Sequence, residues 1–103
     1  MNLSIVSPLG VSFEGPVDGV TVDTIAGQLT ILPMHADYLA FFDVTQVQIT
    51  PRVNGPEAPA SLWACNGYVH VKGDNVFVIA QLTDPDENVV RAVQVSLTQA
   101  RSL

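Results

Sequence analysis

Apolar and polar residues alternate along most of the first 83 residues. In one segment, Val11, Phe13 and Val17 fall on one side of an extended chain, whereas Ser12 and Glu14 fall on the other. The same alternation recurs in LSIVS, GVTVDT, GQLTIL, TQVQIT and YVHV. A period of two residues is typical of a β-strand with one buried and one solvated face. We therefore predict a series of half-buried strands.

Short segments rich in glycine, proline and asparagine separate these strands. They include PLG, EGP, PRVNGPEAP, CNG and KGDN. Glycine and asparagine accept positive backbone angles, and proline supplies a preset one, so each segment favours a turn. Many short strands with a turn roughly every 8 to 12 residues predict an antiparallel sandwich or barrel.

The pattern changes over the last twenty residues. A stripe of apolar residues recurs there at helical spacing: Val89, Val93, Leu97 and Ala100. Asp84 is suited to cap a helix, and Pro85 to occupy its first position, where a missing N–H costs nothing. We therefore divide the chain into a β domain at residues 1–83 and a C-terminal helix at residues 84–103.

Composition narrows the classes of function. The 103 residues are 48% hydrophobic and 14% charged, as expected for one globular domain. The net charge is −6, and only four residues are Lys or Arg. Without a basic surface to neutralise phosphates, we expect neither nucleic-acid binding nor an electrostatic membrane anchor. Because Cys65 is the single cysteine, we expect no disulfide, a reducing compartment and a small core residue.

The main candidates for chemistry are His35 and Asp37. A metal site needs three or four converging ligands, and the other histidine, His70, alternates with valines in a strand predicted to point it at solvent. No phosphate-binding glycine loop or nucleophile motif is present. We expect no catalytic group, metal or cofactor, and an enzyme that uses His35 with Asp37 is kept only as an alternative.

Three aromatic residues follow this pair: Tyr38, Phe41 and Phe42. Such clusters usually belong to the core, but neighbours on a strand point to opposite faces. At least one of the three is therefore expected to emerge as an interface anchor. A second alternative, a stand-alone β-sandwich that binds a small ligand or carbohydrate, predicts aromatics that line a concave face.

Several segments resemble one known family. The segment GQLTILPMHADYL, residues 27–39, resembles a motif in the epsilon subunit of F-type ATP synthases, which is called delta in mitochondria. The two sequences agree at Gly27, Leu32, Pro33, His35, Ala36 and Leu39. Residues 63–71, WACNGYVHV, resemble a second family segment. The N-terminal LSIVSPLGVSFEGPVDGVTV is similar to the family's opening, so the resemblance spans nearly the whole chain.

This resemblance implies a ten-stranded antiparallel β-sandwich of two five-stranded sheets, followed by a helical region. It implies a non-catalytic rotor subunit that binds the foot of the gamma subunit and rests on the c-ring, coupling ion flow to ATP synthesis. Its membrane association is then indirect, through the c-ring. The expected location is the cytoplasmic face of the plasma membrane, or the matrix or stroma side in an organelle.

The resemblance also predicts an interface with the gamma subunit and the c-ring. We expect it to contain Gln28, Met34, His35, Ala36, Asp37 and Tyr38. Three of these depart from the family pattern, because Gln28 replaces an acidic residue, Met34 a glycine and Asp37 a proline. Asp37 is expected to supply the negative charge that Gln28 lacks.

The C-terminal region departs further from the family. Members usually carry two antiparallel helices, and some bind ATP through an aliphatic–Asp–x–x–Arg–Ala motif. Here Glu87 and Asn88 occupy the first two motif positions, and the sequence ends where the second helix would begin. We therefore expect no ATP sensing, and we expect Arg91 to be a solvated helix residue.

Overall fold

The computed structural model describes the backbone of residues 1–102 and the side chains of residues 1–99. Its elements are β1 (Asn2–Ser7), β2 (Gly10–Thr24), β3 (Gly27–Ile31), β4 (Tyr38–Pro51), β5 (Ser61–Lys72), β6 (Asn75–Ile79), β7 (Leu82–Asp84) and α1 (Glu87–Ser102). The chain is therefore mainly β with one C-terminal helix, as predicted. Leu103 and the side chain of Ala100, which we placed on the helix stripe, lie outside the described part.

Hydrogen bonds join these seven strands into one sheet that closes on itself. The order β1-β6-β5-β4-β2 returns to β1 through a β1–β2 pairing, with β3 beyond β2 and β7 beside β5. The β1–β6 pairing is parallel, and the other pairings are antiparallel. We predicted ten antiparallel strands in two five-stranded sheets. The described structure instead has seven strands in one sheet, and one of its strand pairings, β1–β6, is parallel.

Three long strands explain the difference in count. β2, β4 and β5 contain 15, 14 and 12 residues, and each pairs with two or more neighbouring strands along its length. In β5 the segment 63–65 pairs with β7, whereas 68–72 pairs with β6. In β2 the register shifts between Val17 and Gly19, where pairing passes from β1 to β4. Alternation and turn residues do not reveal that such a strand continues through its bend.

The bend in β5 depends on Gly67. Asn66, directly before it, has a φ of 51°, which turns the strand between its two pairing partners. A Cβ on Gly67 would lie 2.8 Å from the Cα of Ala80 and would clash with the carbonyl oxygen of Ile79. Only glycine lets the link after β6 pass this close to β5.

The inward side chains fill the barrel with aliphatic residues. The large ones that are fully buried are Leu3, Ile5, Val17, Val20, Val22, Ile31, Val47, Val69, Val71, Val76 and Val78. The predicted alternation is thus confirmed for most strands. Val11 is an exception, exposed in the part of β2 next to the β1–β2 turn.

Thr45 is the one buried hydroxyl of β4. It accepts from the Asp23 N–H (2.7 Å) and donates to the Gln46 carbonyl (3.0 Å).

The C-terminal helix begins two residues after the position that we predicted. Asp86, not Asp84, caps it, because the Asn88 N–H donates to Asp86 Oδ1 at 2.9 Å. Asp84 instead accepts from the Asp86 N–H at 2.8 Å and is paired with Trp63 in the ladder between β5 and β7. That pairing keeps Asp84 extended, so the prediction of the cap was wrong.

The helix packs on the barrel through Val93 and Leu97 of the predicted stripe, with Val90 in place of Val89. Val90 is fully buried and Val93 and Leu97 are half-buried, whereas Val89 is exposed. Arg91 is not simply solvated, because its guanidinium lies 5.5 Å from the centre of the Trp63 ring and pairs with Glu87. A cation over an aromatic face adds to the packing of the helix. Among the described residues, no helix combines the length and apolarity needed to cross a membrane.

The tight crossing at Gly67 predicts a large effect of one methyl group. Gly67→Ala should lower the free energy of unfolding by about 2–4 kcal/mol, because the clash is with backbone that cannot rotate away. Urea unfolding followed by circular dichroism would measure it. Gly15→Ala is the matched control, since its Cβ would meet only the Phe13 side chain, at 3.4 Å. Equal stability of the two variants would contradict this account of the bend.

Burial also predicts the reactivity of the single thiol. Cys65 is fully buried, and this burial raises the pKa of its thiol, opposed in part by a hydrogen bond with the Leu82 backbone. The thiol should therefore stay protonated and unreactive toward a disulfide reagent at pH 8, and should react fully once urea unfolds the chain. Rapid labelling of the folded protein would show that this part of the core opens.

Candidate interaction surfaces

The segment between β3 and β4 forms a tight turn at one end of the barrel. The His35 N–H donates to the Leu32 carbonyl at 3.1 Å, with Pro33 and Met34 at the centre of the turn. Met34 has a φ of 68°, in the left-handed region that usually requires glycine or asparagine. Its side chain is nevertheless 96% exposed. The turn therefore holds a large apolar side chain in solvent on a strained backbone.

Asp37 fixes this turn against the neighbouring one. Its Oδ1 accepts from the Gly73 N–H at 2.9 Å, which joins the turn to the connection between β5 and β6. Asp74, next to Gly73, pairs with the N-terminal amine of Met1 at 3.6 Å. One carboxylate oxygen of Asp37 thus accepts a hydrogen bond that holds the turn. The carboxylate forms no ion pair with a Lys or Arg in the described part of the chain.

His35 and Asp37 do not act as a pair. The Nδ1–H of His35 donates to the Ala36 carbonyl at 2.6 Å, because a carbonyl oxygen can only accept. The ring also meets Tyr38 edge-on, with centroids 6.4 Å apart. Each side chain is therefore engaged separately within the turn, which gives no support to an enzyme that uses the two together. No group of three His, Cys, Asp or Glu side chains converges among the described residues.

Five of the six predicted interface residues lie together on this turn. They are Met34, His35, Ala36, Asp37 and Tyr38; all but half-buried His35 are exposed. Gln28 is separate, because it lies on β3 opposite Asp23 in the β2–β3 ladder. An acidic residue is therefore its direct cross-strand neighbour, which the linear sequence does not reveal.

Two further apolar residues at the same end were missed. Leu32 is exposed, and its Cδ2 lies against Gly19. Val53 is 78% exposed, and its N–H donates to Asp18 Oδ2 at 3.3 Å. Leu32 and the backbone of Val53 thus contact two consecutive residues of β2, Gly19 and Asp18. We call Leu32, Met34 and Val53 the tip residues. No signal in the sequence singled out Val53, which lies in a loop of turn-forming residues.

A second surface lies on the outer side of β4, β5 and β6. The ladders align Leu39 with His70 and Phe77, and Phe41 with Tyr68 and Ile79. The Phe41 and Tyr68 rings are 6.1 Å apart, and those of His70 and Phe77 are 6.4 Å apart. His70 is thus half-buried in an aromatic row rather than simply facing solvent. We call Ile25, Leu39, Phe41, Tyr68, Phe77 and Ile79 the apolar face.

The aromatic cluster after His35 divides between core and surface. Phe42 is 2% exposed, whereas Phe41 is 56% exposed and Tyr38 is also exposed. The prediction that at least one would emerge is therefore confirmed. Phe41, Tyr68 and Phe77 lie across three strands on the outside of a closed barrel rather than in a concave site, so the small-ligand alternative is not favoured.

These observations define a class of protein. A closed β-barrel carries one accessory helix and presents exposed apolar side chains on a turn and on an outer face. Such surfaces are typical of contacts with other proteins. The chain is therefore a small β-barrel binding protein.

Comparison with known proteins identifies the family. The model of the ATP synthase delta/epsilon chain beta-sandwich domain matches residues 1–84. The ATP synthase epsilon chain of Halalkalibacterium halodurans is 32% identical over 94 residues, which cover 89% of this chain and 68% of that relative. The epsilon chain of Carboxydothermus hydrogenoformans is 30% identical over 102 residues, covering 98% and 73%. The chain belongs to the ATP synthase delta/epsilon family.

A solved structure has a similar fold. A chain from the central stalk and c-ring of the Tetrahymena thermophila mitochondrial ATP synthase matches with a TM-score of 0.70 at 13% identity. The match covers 81% of this chain and 64% of that one. The epsilon chain of Alkalihalophilus pseudofirmus is 32% identical, over 82% of this chain and 60% of its own length. This chain thus spans only part of the length of its relatives.

The backbone of Met34 predicts a gain in stability on substitution. Met34→Gly should raise the free energy of unfolding by about 0.5–1 kcal/mol, because glycine adopts this φ without strain. Asn54 provides a matched control: it has a φ of 59° in a similar turn, closed by the Gly55 N–H and the Arg52 carbonyl. Since asparagine tolerates this region, Asn54→Gly should gain less. Urea unfolding of both variants tests the comparison, and a loss of stability in Met34→Gly would contradict it.

Proposed function

We propose that this chain is the epsilon-type subunit in the central stalk of an F-type ATP synthase. In this role it is a non-catalytic part of the rotor. It joins the gamma subunit to the c-ring and so helps to couple ion translocation to ATP synthesis. Its association with the membrane is indirect, through the c-ring, on the side where the soluble part of the enzyme lies.

The family match over residues 1–84 supports this proposal most directly. The matched segment contains the whole barrel, including the turn with Met34 and Asp37 and the strands of the apolar face. Both surfaces are therefore carried by the part of the chain that is shared with ATP synthase epsilon chains. A subunit whose role is to hold two partners together needs surfaces of this kind rather than a catalytic site.

The turn after β3 is the contact that we assign to the rotor partners. Met34 and Tyr38 offer exposed apolar and aromatic surface, and His35 and Ala36 complete the turn between them. The hydrogen bond from Gly73 to Asp37 holds the turn in place before binding, which lowers the entropic cost of docking. Gln28 contributes from β3, as a separate polar contact.

Asp37 adds a negative charge to this contact. One carboxylate oxygen accepts from the Gly73 N–H, and the side chain is exposed at the turn. Such a charge at the rim of an interface attracts a basic partner and speeds association. Asp23, opposite Gln28, is a second acidic group that can compensate for the uncharged Gln28.

Two substitutions of Asp37 separate its charge from its structural role. In Asp37→Asn the side-chain oxygen can still accept from Gly73, so the turn persists and only the charge is lost. Asp37→Ala removes both. We expect Asn to weaken binding to the gamma subunit or the c-ring about two- to tenfold, mostly through slower association at low salt, and Ala to weaken it further.

The measurement is binding of the purified chain to the gamma subunit and to the c-ring of the same organism. The unaltered chain should capture at least one of them. Failure to bind either would overturn the proposed function. Unchanged affinity of Asp37→Asn, with the unaltered chain binding, would leave the function in place but remove the role of the charge.

A further inference from the structure

The sulfur-containing side chains of this protein differ widely in burial. The sequence contains two methionines and one cysteine, all of them within the described side chains. Met1 is 6% exposed and belongs to the core cluster, and Cys65 is fully buried. Met34, in contrast, is 96% exposed. A reagent dissolved in water can therefore reach the sulfur of Met34 directly, whereas it reaches the other two only when the fold opens.

The surroundings of Met34 leave its thioether open to solvent. Beside it lies a shallow cleft that is also lined by His35, Gly73 and Asp74. Two polar groups of this cleft are already engaged elsewhere. The Nδ1–H of His35 donates to the Ala36 carbonyl, and the Gly73 N–H donates to Asp37 Oδ1. Neither group holds the sulfur, so water and small oxidants have access to its lone pairs.

Hydrogen peroxide oxidises an accessible thioether to a sulfoxide. The sulfur lone pair bonds to one peroxide oxygen as the O–O bond breaks, and the other oxygen leaves as water after proton transfer. The methionine is thus oxidised and the peroxide reduced. Methionine sulfoxide reductases reverse the change: the oxygen leaves as water, and a dithiol that supplies the electrons becomes a disulfide. The forward reaction converts a flexible apolar side chain into a polar one.

Oxidation of Met34 leaves the fold behind it intact. The turn is closed by the hydrogen bond from the His35 N–H to the Leu32 carbonyl, and Asp37 joins it to Gly73. Neither bond uses the Met34 side chain. At Met1 the same reaction would place a polar group inside the core, where its desolvation is costly. The two methionines therefore respond differently: one change is confined to an exposed turn, and the other disrupts packing.

We propose that Met34 is a reversible oxidation site that controls docking of the turn at residues 34–38. As a thioether, the side chain offers apolar surface to a partner. As a sulfoxide, it carries a polar S–O group that docking must strip of water. This inference rests on the proposed function, in which the turn contacts the gamma subunit or the c-ring. The free chain is the sensitive form, because a docked partner covers the sulfur.

Peptide mapping by mass spectrometry tests the site. In the folded full chain treated with hydrogen peroxide, Met34 should be oxidised about tenfold or more faster than Met1. In urea the two rates should become similar, because burial is what separates them. The chain oxidised at Met34 should unfold at the same urea concentration as the untreated chain. Equal rates at Met1 and Met34 in the folded chain would overturn the proposal.

Binding to the gamma subunit and to the c-ring tests the control of docking. The oxidised chain should bind about three- to tenfold more weakly, and treatment with methionine sulfoxide reductases and a dithiol should restore the affinity. Met34→Leu keeps an apolar side chain without a thioether, so peroxide should not change the affinity of this variant. Adding Val95→Met provides the matched control, because it places a thioether at an exposed position on α1. This second position should be oxidised without any change in binding.

The outcomes separate this inference from the proposed function. If the untreated chain binds a partner and the oxidised chain binds equally well, Met34 does not control docking, while the proposed function stands. If the untreated chain binds neither gamma nor the c-ring, the proposed function fails and the inference with it. If peroxide weakens the binding of Met34→Leu as much as that of the unaltered chain, the sensitive group lies elsewhere and the assignment to Met34 is wrong.

Discussion

The contact between β5 and the link after β6 controls the architecture. At Gly67 the two backbones lie so close that no side chain fits between them. This closeness lets β5 pair with β7 through one half and with β6 through the other, so one strand has two partners on the same edge. Because β6 then pairs with β1, and β1 with β2, the sheet closes. Closure in turn fixes which strands have free edges and which present only side chains.

Closure also explains how an apolar surface can remain exposed. An exposed sheet edge with apolar side chains is a template for uncontrolled strand pairing. The segments of β5 and β6 that carry Tyr68 and Phe77 are paired on both sides, whereas β4 pairs with β2 only at residues 48–51. Closure therefore protects the backbone of β5 and β6 while their outer side chains stay exposed or half-buried.

The sequence predicts this fold well where the information is local and less well where it depends on distant residues. Alternation identified the strands, and most of the residues that it placed inside are buried. The helix cap was wrong by two residues because Asp84 is held by Trp63 across the sheet, a partner that local capping rules do not include. The continuation of β2 and β5 through their bends likewise arises from long-range pairing. The turn at residues 34–38 was recognised by resemblance, but the apolar face was not.

Met34 combines a strained backbone with an exposed side chain, which supports its place in the proposed contact. A fully exposed apolar side chain costs little by itself, and a left-handed turn residue is ordinary when it is glycine. At Met34 the two features occur together without glycine: the backbone is strained, and the side chain contacts almost nothing within the chain. Neither folding nor stability benefits from this residue. A residue that strains the backbone and makes no compensating contact within the chain is found chiefly where it contacts something outside the molecule. This reasoning supports the proposal that the turn after β3 contacts a partner.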